Sequence, residues 1–412
     1  MKKDIVVIGG GCIGLMTAYC LLKSGRDVTV IEKGNITDGT SFGNAGLLSA
    51  FKKAPLSAPG AIFDTLKLML KGESPASVHP TFDLHLYKWL LKFAASTTEA
   101  RLKRTLALFE RYGRISLDMY ETMVKEDGMD FHFCKDGLLM IYTEQKTFDI
   151  KAAHCNNPDA YEILSKERTK EYMPILNEKV IGSILLKENG HIDPGEFMIE
   201  LKKYLEGKGV EFLLNEEVTK LEFEGSKVSK IRTSKGVYEA ETFVLSTGAN
   251  DTLAKQAKNR FLMTPAKGYS ITFKMDDTLK PKTSSLFADL FIAMTPRRNT
   301  VRMTSKLELG TTNPDVVRKQ IDSINKNLSL YTNDFVKKDI VEWAGFRPLT
   351  PNDMPILGYD ENYNNLVHAT GLGWLGITFA PAIGKIINDV ITIDKKNNTN
   401  ADVLLFSAFY QG

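Results

Sequence analysis

The first 32 residues carry an ordered pattern of apolar runs and glycines. An apolar run at residues 5–8 is followed by a glycine-rich turn, an apolar stretch that reaches Leu22, and a second apolar run at Val28–Ile31. Short apolar runs bounded by glycine are typical of buried strands, whereas the longer stretch is typical of a helix. The pattern therefore predicts a βαβ unit with two parallel strands.

Three glycines and one acid give this unit a candidate chemistry. Gly9 allows the tight turn, Gly11 lets backbone N–H groups approach a pyrophosphate, and Gly14 lets the helix pack closely on the strand. The phosphates would then lie at the positive end of the helix dipole. Glu32 ends the second strand, where it can accept hydrogen bonds from an adenosine ribose and would repel the extra phosphate of NADP. The chain is therefore expected to bind FAD or NAD.

The same segment has a second interpretation. Lys2 and Lys3 precede the almost unbroken apolar residues 5–22, which resemble a signal peptide or a membrane anchor. Export would require a small-residue cleavage site and no continuation of the βαβ unit, yet Gly25, the second apolar run and Glu32 follow in place. The nucleotide-binding interpretation is therefore favoured.

Helical and strand patterns alternate along the rest of the chain. Helical patterns cover most of residues 50–127 and residues 165–174, 195–206, 314–330 and 378–390. Strand patterns occur at residues 138–142, 181–186, 210–214, 218–223, 228–233, 237–240, 243–245, 269–273, 287–294, 301–305, 340–346 and 366–369. The strands of residues 269–306 predict a separate antiparallel sheet.

Nucleotide-binding pieces thus recur at the start, middle and end of the chain. The expected class is α/β, or α+β overall, with a Rossmann-like domain that binds FAD or NAD and an inserted substrate domain built on an antiparallel sheet. Residues 1–80, 191–256 and 346–412 are expected in this discontinuous cofactor-binding domain, and residues 81–190 and 257–345 in the substrate domain. In the last predicted helix, Pro381 is expected in the first turn, where its missing N–H needs no partner.

Composition narrows the function classes. The chain has 412 residues and a net charge of +3, which is too small to indicate a nucleic acid partner. Its four cysteines, Cys12, Cys20, Cys134 and Cys155, show no CxxC spacing, which favours a reduced cytoplasmic compartment and argues against a metal site. After the opening unit, no segment is apolar for long enough to be expected to span a bilayer.

Two amphipathic, basic stretches at residues 61–71 and 84–93 leave two interpretations open. They can touch a membrane surface, or they can pack as ordinary helices on their own domain. The sequence favours ordinary packing.

Five segments in order carry a resemblance to a known family: the glycine-rich opening, TSFGNAG, VLSTGAN, GFRPLTPNDMPILG and HATGLGWLGITFAPAIGK. Together they resemble the FAD-dependent D-amino-acid oxidase superfamily over essentially the whole chain. SFGNAG, KGYS at residues 267–270 and the spacing of RPLTPNDMPILG are most similar to the small-subunit bacterial D-amino-acid dehydrogenases of the epsilonproteobacterial type.

The resemblance implies a non-covalent FAD held by separated stretches of the chain. The implied contacts are Gly9, Gly11, Cys12, Ile13, Gly14, Glu32, Lys33, Thr40, Ser41, Asn44, Ala45, Gly46, Leu47, Val218, Thr247, Gly248, Leu372, Gly373, Trp374, Leu375, Gly376, Ile377 and Thr378. The last seven match the loop beneath the isoalloxazine ring, where N–H groups at the start of the following helix would stabilise negative charge on the reduced ring.

The resemblance also implies the substrate contacts. Arg347 matches the arginine that pairs with the substrate carboxylate, and a guanidinium suits that bidentate contact. Tyr269 can add a hydrogen bond to the same carboxylate and Trp374 can line the pocket, although each can equally be a core aromatic. His191 and His368 lie beside cofactor motifs, but an uncharged amine needs no histidine base, so structural roles are favoured.

One departure from the glycine-oxidase branch bears on the substrate. That branch has a tyrosine on the strand aligned with residues 287–294 and an arginine near Trp374, whereas this chain offers Ile292 or Ala293 and a tryptophan. The pocket is therefore expected to be more apolar, which favours a small neutral substrate such as D-alanine or D-proline.

The implied activity is FAD-dependent oxidative deamination of a D-amino acid, by hydride transfer from Cα to flavin N5. Electrons would pass to a quinone or another acceptor, which fits a cytoplasmic enzyme in peripheral contact with the inner membrane. A glycine- or sarcosine-type oxidase, an NAD-dependent reductase and an exported anchor protein are the alternatives. D-specificity rests on the resemblance alone.

Overall fold

The computed structural model of the chain describes residues 2–48 and 76–393, so the amphipathic stretch at residues 61–71 lies outside the described residues. The opening segment folds as β1 (Lys3–Ile8), α1 (Cys12–Lys23) and β2 (Val28–Ile31). β1 and β2 pair in parallel, so the predicted βαβ unit is confirmed.

The other strands are β3 (Leu47–Leu48), β4 (Ala76–Val78), β5 (Leu138–Tyr142), β6 (Tyr161–Ser165), β7 (Gly182–Leu186), β8 (Gly190–His191), β9 (Glu211–Leu213), β10 (Val218–Glu224), β11 (Lys227–Thr233), β12 (Val237–Tyr238), β13 (Ala240–Leu245), β14 (Thr264–Lys274), β15 (Ser284–Phe287), β16 (Ile292–Pro296), β17 (Val301–Leu309), β18 (Lys338–Leu349), β19 (Ile356–Tyr359) and β20 (Leu366–Thr370). The other α-helices are α2 (Leu84–Ser96), α3 (Glu99–Lys125), α4 (Gln145–Ala152), α5 (Lys166–Tyr172), α6 (Pro194–Gly207), α7 (Thr252–Gln256), α8 (Arg318–Ser329) and α9 (Gly376–Thr392). A 3₁₀ turn, Gly373–Leu375, precedes α9.

The first sheet contains six strands in the order β19-β20-β13-β1-β2-β9. Its pairs are parallel except for β19 with β20, and both faces of β1 are covered. Ile5 and Val7 pack in the core that includes α1, α6 and α9, whereas Val6 and Ile8 pack against the three-stranded sheet β10-β11-β12. Burial on both faces explains why residues 5–8 are continuously apolar, as is typical of a parallel sheet covered on both sides.

The second sheet contains nine strands in the order β18-β14-β17-β16-β15-β5-β7-β6, with β4 beside β17. Its pairs are antiparallel except for β15 with β5 and β17 with β4. α8 covers one face, where Ile321 and Ile324 share a core with Tyr269, Ile271 and Phe273. The predicted class, a Rossmann-like unit with a second unit on a largely antiparallel sheet, is confirmed.

One predicted strand is a hairpin instead. Residues 287–294 divide between β15 and β16, which pair antiparallel around a turn in which Phe291 has a φ of +52°. The Asp289 carboxylate stabilises this turn by accepting 2.8 and 2.9 Å hydrogen bonds from the backbone N–H and hydroxyl of Thr143. The turn contains neither glycine nor proline, the residues that would have indicated a break in the apolar run.

The predicted boundary between residues 345 and 346 falls inside β18, which continues unbroken to Leu349. α3 lies in the segment expected on the substrate side, yet its Leu117 and Tyr120 share a core with α1 and α9. β18 therefore runs across the predicted boundary, and α3 packs on the first sheet's helices.

α9 is longer than predicted at both ends and begins at Gly376. Pro381 therefore lies beyond the first turn, where a missing N–H does remove a helical hydrogen bond. With the preceding 3₁₀ turn, residues Gly373–Thr392 are long and apolar enough to cross a membrane by length and composition, contrary to the sequence expectation, but 67% of the apolar window is buried inside the protein. That burial is characteristic of a core helix.

Candidate functional site

The turn after β1 requires glycine at two positions. Gly9 has a φ of +107°, and a Cβ there would lie 2.4 Å from the carbonyl oxygen of Ser246. A Cβ on Gly14 would lie 1.9 Å from the Gly9 carbonyl oxygen. Ser246 follows β13, and its hydroxyl links β13 to the end of β1 by donating to the carbonyls of Gly9 (2.9 Å) and Ile8 (3.0 Å). Ser246 is thus a turn residue that the sequence analysis missed.

The N-terminus of α1 is available to an anion. Gly11 is its N-cap, no side chain caps it, and its first turn contains no acid. The Cys12 N–H donates to the Ser41 hydroxyl at 3.1 Å, which brings the second predicted loop to this helix end. A helix N-terminus without a side-chain cap or a competing carboxylate fits a pyrophosphate, so the residues present fit a dinucleotide.

Glu32 lies where β2 ends. Its carboxylate accepts the Gly10 N–H at 2.7 Å and the Gly34 N–H at 3.1 Å, which holds the acid beside the glycine turn. The Glu32 carbonyl accepts the Glu216 N–H at 2.9 Å, so the strand that begins at Val218 starts close to this acid. Lys33 is exposed and contributes no contact of this kind.

The loop of residues 40–47 connects the two sheets. The Thr40 hydroxyl donates to the Phe346 carbonyl in β18 at 2.9 Å, and the Thr378 hydroxyl of α9 donates to the Leu47 carbonyl at 2.9 Å. Gly46 has a φ of +82°, and a Cβ there would lie 2.1 Å from the Ile192 carbonyl oxygen. Predicted cofactor residues from the first and last segments therefore meet.

Arg302 supports this loop and was not predicted. The residue is buried, and its Nη1 donates to the carbonyls of Phe42 (2.5 Å) and Asn44 (3.1 Å), while Nε donates to the Thr272 hydroxyl (2.9 Å). Burial, together with nearby Arg297, lowers the pKa of Arg302 to about 9. No local sequence signal identifies Arg302, because its partners are backbone carbonyls distant in the chain.

Two further predicted loops lie near these segments. Gly248 has a φ of +58° with open space where a Cβ would be, and its carbonyl accepts from the Thr370 hydroxyl at 2.8 Å. Leu372 forms an isolated antiparallel bridge with Leu349, at the end of the strand that carries Arg347. Gly376, at the start of α9, lies beside Cys12, because a Cβ there would be 3.7 Å from the thiol sulfur. The loop of residues 372–378 therefore lies between β18 and the α1 N-terminus.

Arg347 is a partly buried cation. Its Nη1 donates to the Lys306 carbonyl at 3.2 Å, and no carboxylate pairs with it among the described residues. Burial without a counter-charge lowers the pKa of Arg347 to about 10. An anion bound at this guanidinium would supply the missing counter-charge and offset the free-energy cost of taking the cation out of water.

Gly268 makes room for the guanidinium. A Cβ at Gly268 would lie 2.1 Å from Arg347 Nη1 and 2.4 Å from Cζ. Ser270 follows on the same face of β14, and its buried hydroxyl has no hydrogen-bond partner among the described residues. This face of the second sheet therefore presents one cation and one hydroxyl that are available to a ligand.

Tyr269 is not brought to Arg347. Side chains alternate along β14, so Tyr269 faces away from the side on which Gly268 meets the guanidinium. The tyrosine is buried in the core under α8, and its hydroxyl donates to the Glu308 carboxylate at 2.5 Å. Burial and this carboxylate raise the pKa of Tyr269. The structure thus supports the core-aromatic alternative and not a bond from Tyr269 to a carboxylate held by Arg347.

Two tryptophans lie near Arg347. Trp374 packs with Trp89 and Leu349, which places it beside the end of β18. Trp343 was not predicted. It lies on the same face of β18 as Gly345 and Arg347, because residues two apart on a strand share a face. A Cβ on Gly345 would lie 1.9 Å from the Trp343 ring.

The position that the sequence left open between Ile292 and Ala293 is resolved by their cores. Ile292 packs in the core under α8, whereas Ala293 packs with Ala45 and Leu47 of the loop that connects the sheets. The side chain nearest that loop is therefore a methyl group, which keeps this side apolar.

The two histidines beside the motifs differ. His368 is buried, with Nε2 2.7 Å from the Asp360 carboxylate, in a structural arrangement. His191 is buried beside Asp136 and Cys134, and its backbone pairs with that of Leu47 in the loop that connects the sheets.

The paired glycine turn, the α1 N-terminus without a side-chain cap and the partly buried Arg347 are the features expected of a nucleotide-binding oxidoreductase. Comparison with known proteins agrees, since residues 4–390 match the FAD dependent oxidoreductase family, and the chain belongs to that family. Proteins named D-amino acid dehydrogenase from Helicobacter pylori strains ATCC 700392 / 26695 and J99 / ATCC 700824 are each 59% identical to it over 411 residues, 100% of both chains.

Solved structures share the fold at low identity. Glycine oxidase from Bacillus cereus ATCC 14579 aligns with a TM-score of 0.74 and 21% identity, over 98% of this chain and 97% of that one. L-proline dehydrogenase from P. horikoshii aligns with a TM-score of 0.72 and 20% identity, over 98% and 96% of the two chains. The predicted resemblance and fold are therefore confirmed, and the chain is an FAD-dependent oxidoreductase.

Proposed function

We propose that this enzyme is a D-amino-acid dehydrogenase that oxidises small neutral D-amino acids. Bound flavin supplies the two-electron acceptor that takes hydride from the substrate Cα. The resulting imino acid is hydrolysed by water to a keto acid and ammonia, or stays an imine when the amine is secondary. The names of the 59% identical relatives support this proposal.

Arg347 is the observation that carries the proposal. An amino acid presents a carboxylate, and a partly buried guanidinium without an acidic partner among the described residues provides the matching charge. The unsatisfied Ser270 hydroxyl, on the face where Gly268 accommodates the guanidinium, can add a neutral hydrogen bond in place of Tyr269.

The surroundings of Arg347 favour an uncharged substrate side chain. Trp343, Trp374 and Ala293 present aromatic and methyl groups near the loops that meet this site. A charged side chain would lose hydration there without gaining a partner. D-alanine and D-proline are the proposed substrates.

The proposed FAD is non-covalent and is held by the first sheet and its loops. Cys12, the cysteine nearest the proposed pyrophosphate, is buried, and burial raises the pKa of its thiol to about 11, so it stays protonated. We also propose that the unit built on the first sheet binds the cofactor and the second sheet carries the substrate contacts, with the division after Leu349 instead of before Phe346. Denaturation should release all the flavin into solution.

A quinone-type acceptor and peripheral contact with a cytoplasmic membrane surface complete the proposal. α2 and the residue before its N-cap present a row of exposed apolar side chains, with Phe82 103%, Leu84 82% and Leu91 74% exposed. Lys88 and Lys92 are exposed on the same helix, and an apolar row with basic neighbours is typical of an interfacial helix. The wild-type protein should co-sediment with phosphatidylglycerol vesicles. The double variant Leu84→Ser and Leu91→Ser should lose this vesicle binding, while its turnover with a soluble dye stays unchanged.

Anaerobic flavin reduction tests the function. D-alanine or D-proline should bleach the flavin, the L-enantiomers should not, and turnover should continue with a quinone analogue. Rapid reoxidation by air with stoichiometric hydrogen peroxide would instead identify a glycine- or sarcosine-type oxidase.

Arg347→Ala tests the anchor. Substrate binding should weaken by about 2–5 kcal/mol, because the carboxylate would lose its charged partner, while flavin stays bound. Arg232→Ala is the matched control, since Arg232 lies on β11 and already has a carboxylate partner, Glu222 of β10. Unchanged kinetics in Arg347→Ala would remove Arg347 from the mechanism.

A further inference from the structure

Three potential metal ligands meet outside the flavin and substrate residues. His132, Cys134 and His191 each offer a ligand atom, and these atoms lie within 4.8 Å of one another. Cys134 Sγ lies 3.9 Å from His132 Nε2, and the two imidazoles meet with their centroids 5.7 Å apart. Nitrogen and sulfur ligands around tetrahedral zinc lie about 3.3–3.6 Å apart. Cys134 Sγ and His132 Nε2 would therefore need to move closer by only a few tenths of an ångström to bind the same ion.

The backbone explains why these side chains share one place. Cys134 and His191 form an antiparallel bridge, each donating its N–H to the other's carbonyl at 2.9 Å, so their side chains leave the same face. Gly190 permits this close approach, because a Cβ there would lie 2.2 Å from the Cys134 carbonyl oxygen. His132 has a φ of +54°, a conformation that non-glycine residues rarely adopt and that recurs at functional sites.

His191 is the buried member of the cluster, and its ring nitrogens are unsatisfied in the described part of the chain. The residue is 1% exposed, yet neither ring nitrogen has a hydrogen-bond partner among the described residues. The Asp136 carboxylate lies 3.3 Å from Nδ1, which leaves Nε2 for a ligand. A carboxylate behind a histidine is the usual arrangement for orienting a metal-binding imidazole.

The ligand types of the cluster suit a divalent transition-metal cation. A thiolate is the form of cysteine that binds metals, and a set of one sulfur and two imidazoles prefers zinc over magnesium or calcium.

We propose that His132, Cys134 and His191 bind one Zn²⁺ ion, with Asp136 orienting His191 and water at the fourth position. This departs from the sequence expectation of no metal, because the third ligand is distant in the chain and no CxxC motif is present. β8 pairs with β3 at Leu47, so a metal here would fasten residues 132–134 to the strand beside the loop that connects the sheets.

Zinc binding to the full-length, FAD-loaded protein tests the proposal. After chelator treatment and dialysis against Zn²⁺, elemental analysis should find one zinc per chain in wild type and in Cys155→Ser. Cys155 is the matched control, because its sulfur donates to the Lys151 carbonyl and is not part of the cluster. Cys134→Ser should weaken binding at least about 100-fold and Asp136→Asn about 10- to 100-fold, with flavin absorbance reporting that each variant is folded.

Alkylation provides a second readout that needs no variant. Zn²⁺ should slow iodoacetamide labelling of Cys134 but not of Cys155, as measured by mass spectrometry of peptides. No bound zinc, equal zinc in Cys134→Ser, or unprotected Cys134 in wild type would each overturn the proposal. If Cys134→Ser does not fold, the wild-type protection experiment decides.

Discussion

The hydroxyl of Tyr120 in α3 donates a 2.6 Å hydrogen bond to the backbone carbonyl of Ile377 in α9. Pro381 lies four residues after Ile377 and has no N–H, so this carbonyl has no helical partner. Tyr120 is fully buried and supplies the missing donor. A proline is therefore accommodated inside α9 by a side chain from a distant segment.

Tyr120→Phe should destabilise the protein. The Ile377 carbonyl would be left buried without a donor, which costs about 1–3 kcal/mol. Urea denaturation with the flavin bound measures the change. Tyr87→Phe removes an exposed hydroxyl that donates to the Thr81 carbonyl, and should change stability by less than about 0.5 kcal/mol. Equal effects of the two substitutions would contradict the role of Tyr120.

Gly14→Ala should release the cofactor. The added methyl group would meet the Gly9 backbone oxygen at 1.9 Å, and backbone cannot move away as a side chain can. We expect FAD affinity to fall about tenfold or more, measured by titrating apoprotein with FAD. Gly207→Ala, which adds a methyl group in the last turn of α6 where nothing lies within 4 Å, should bind FAD as wild type does.

Gly268→Ala should displace the Arg347 guanidinium. Its methyl group would occupy space 2.1 Å from Nη1, and the flexible arginine would yield. Substrate KM should rise about tenfold or more, because the carboxylate partner is misplaced, while flavin content stays constant. A KM equal to that of wild type would mean that the guanidinium position does not govern substrate binding.

Asp127→Asn should lower the free energy of unfolding by an amount that depends on pH. The Asp127 carboxylate accepts hydrogen bonds from Lys23 Nζ (2.5 Å), Tyr19 Oη (2.5 Å) and Tyr204 Oη (2.9 Å). Burial favours the neutral acid, but these three donors outweigh it and hold the pKa of Asp127 below its usual 3.8. The folded state therefore favours the carboxylate, and this stabilisation is present above about pH 4 and is lost as pH falls through the lowered pKa.

At pH 7, Asp127→Asn should lose about 1–3 kcal/mol of unfolding free energy. The difference from wild type should narrow below about pH 4, as measured by urea denaturation across pH. Asp118→Asn, at an exposed position of α3, which ends shortly before Asp127, is the control. A difference that stays constant with pH would show that ionisation of Asp127 is not its source.

The sequence predicted the local elements well and the long-range partners poorly. Gly9, Gly14 and Glu32 were identifiable because the turn and strand end impose residue types within one βαβ unit. Arg302 and Ser246 were not, because each bonds to backbone carbonyls far along the chain, and carbonyls carry no residue signature.

The side of a strand on which a residue lies was the other source of error. Tyr269 adjoins Gly268, so the motif KGYS indicated the right strand, but residues one apart face opposite sides. The sequence could not show that α8 covers the Tyr269 side. The hairpin at residues 288–291 was missed for a related reason, since its turn relies on an Asp289–Thr143 contact and not on glycine or proline.

The hydrogen bond between Thr378 and Leu47 joins residues 331 positions apart. On the side away from β2, β1 likewise pairs with β13 (Ala240–Leu245), which comes much later in the chain. A ribosome producing this chain therefore releases the glycine turn long before the strand and helix that complete its surroundings. The nascent polypeptide cannot close the loop of residues 40–47 onto α9 until α9 itself has been synthesised.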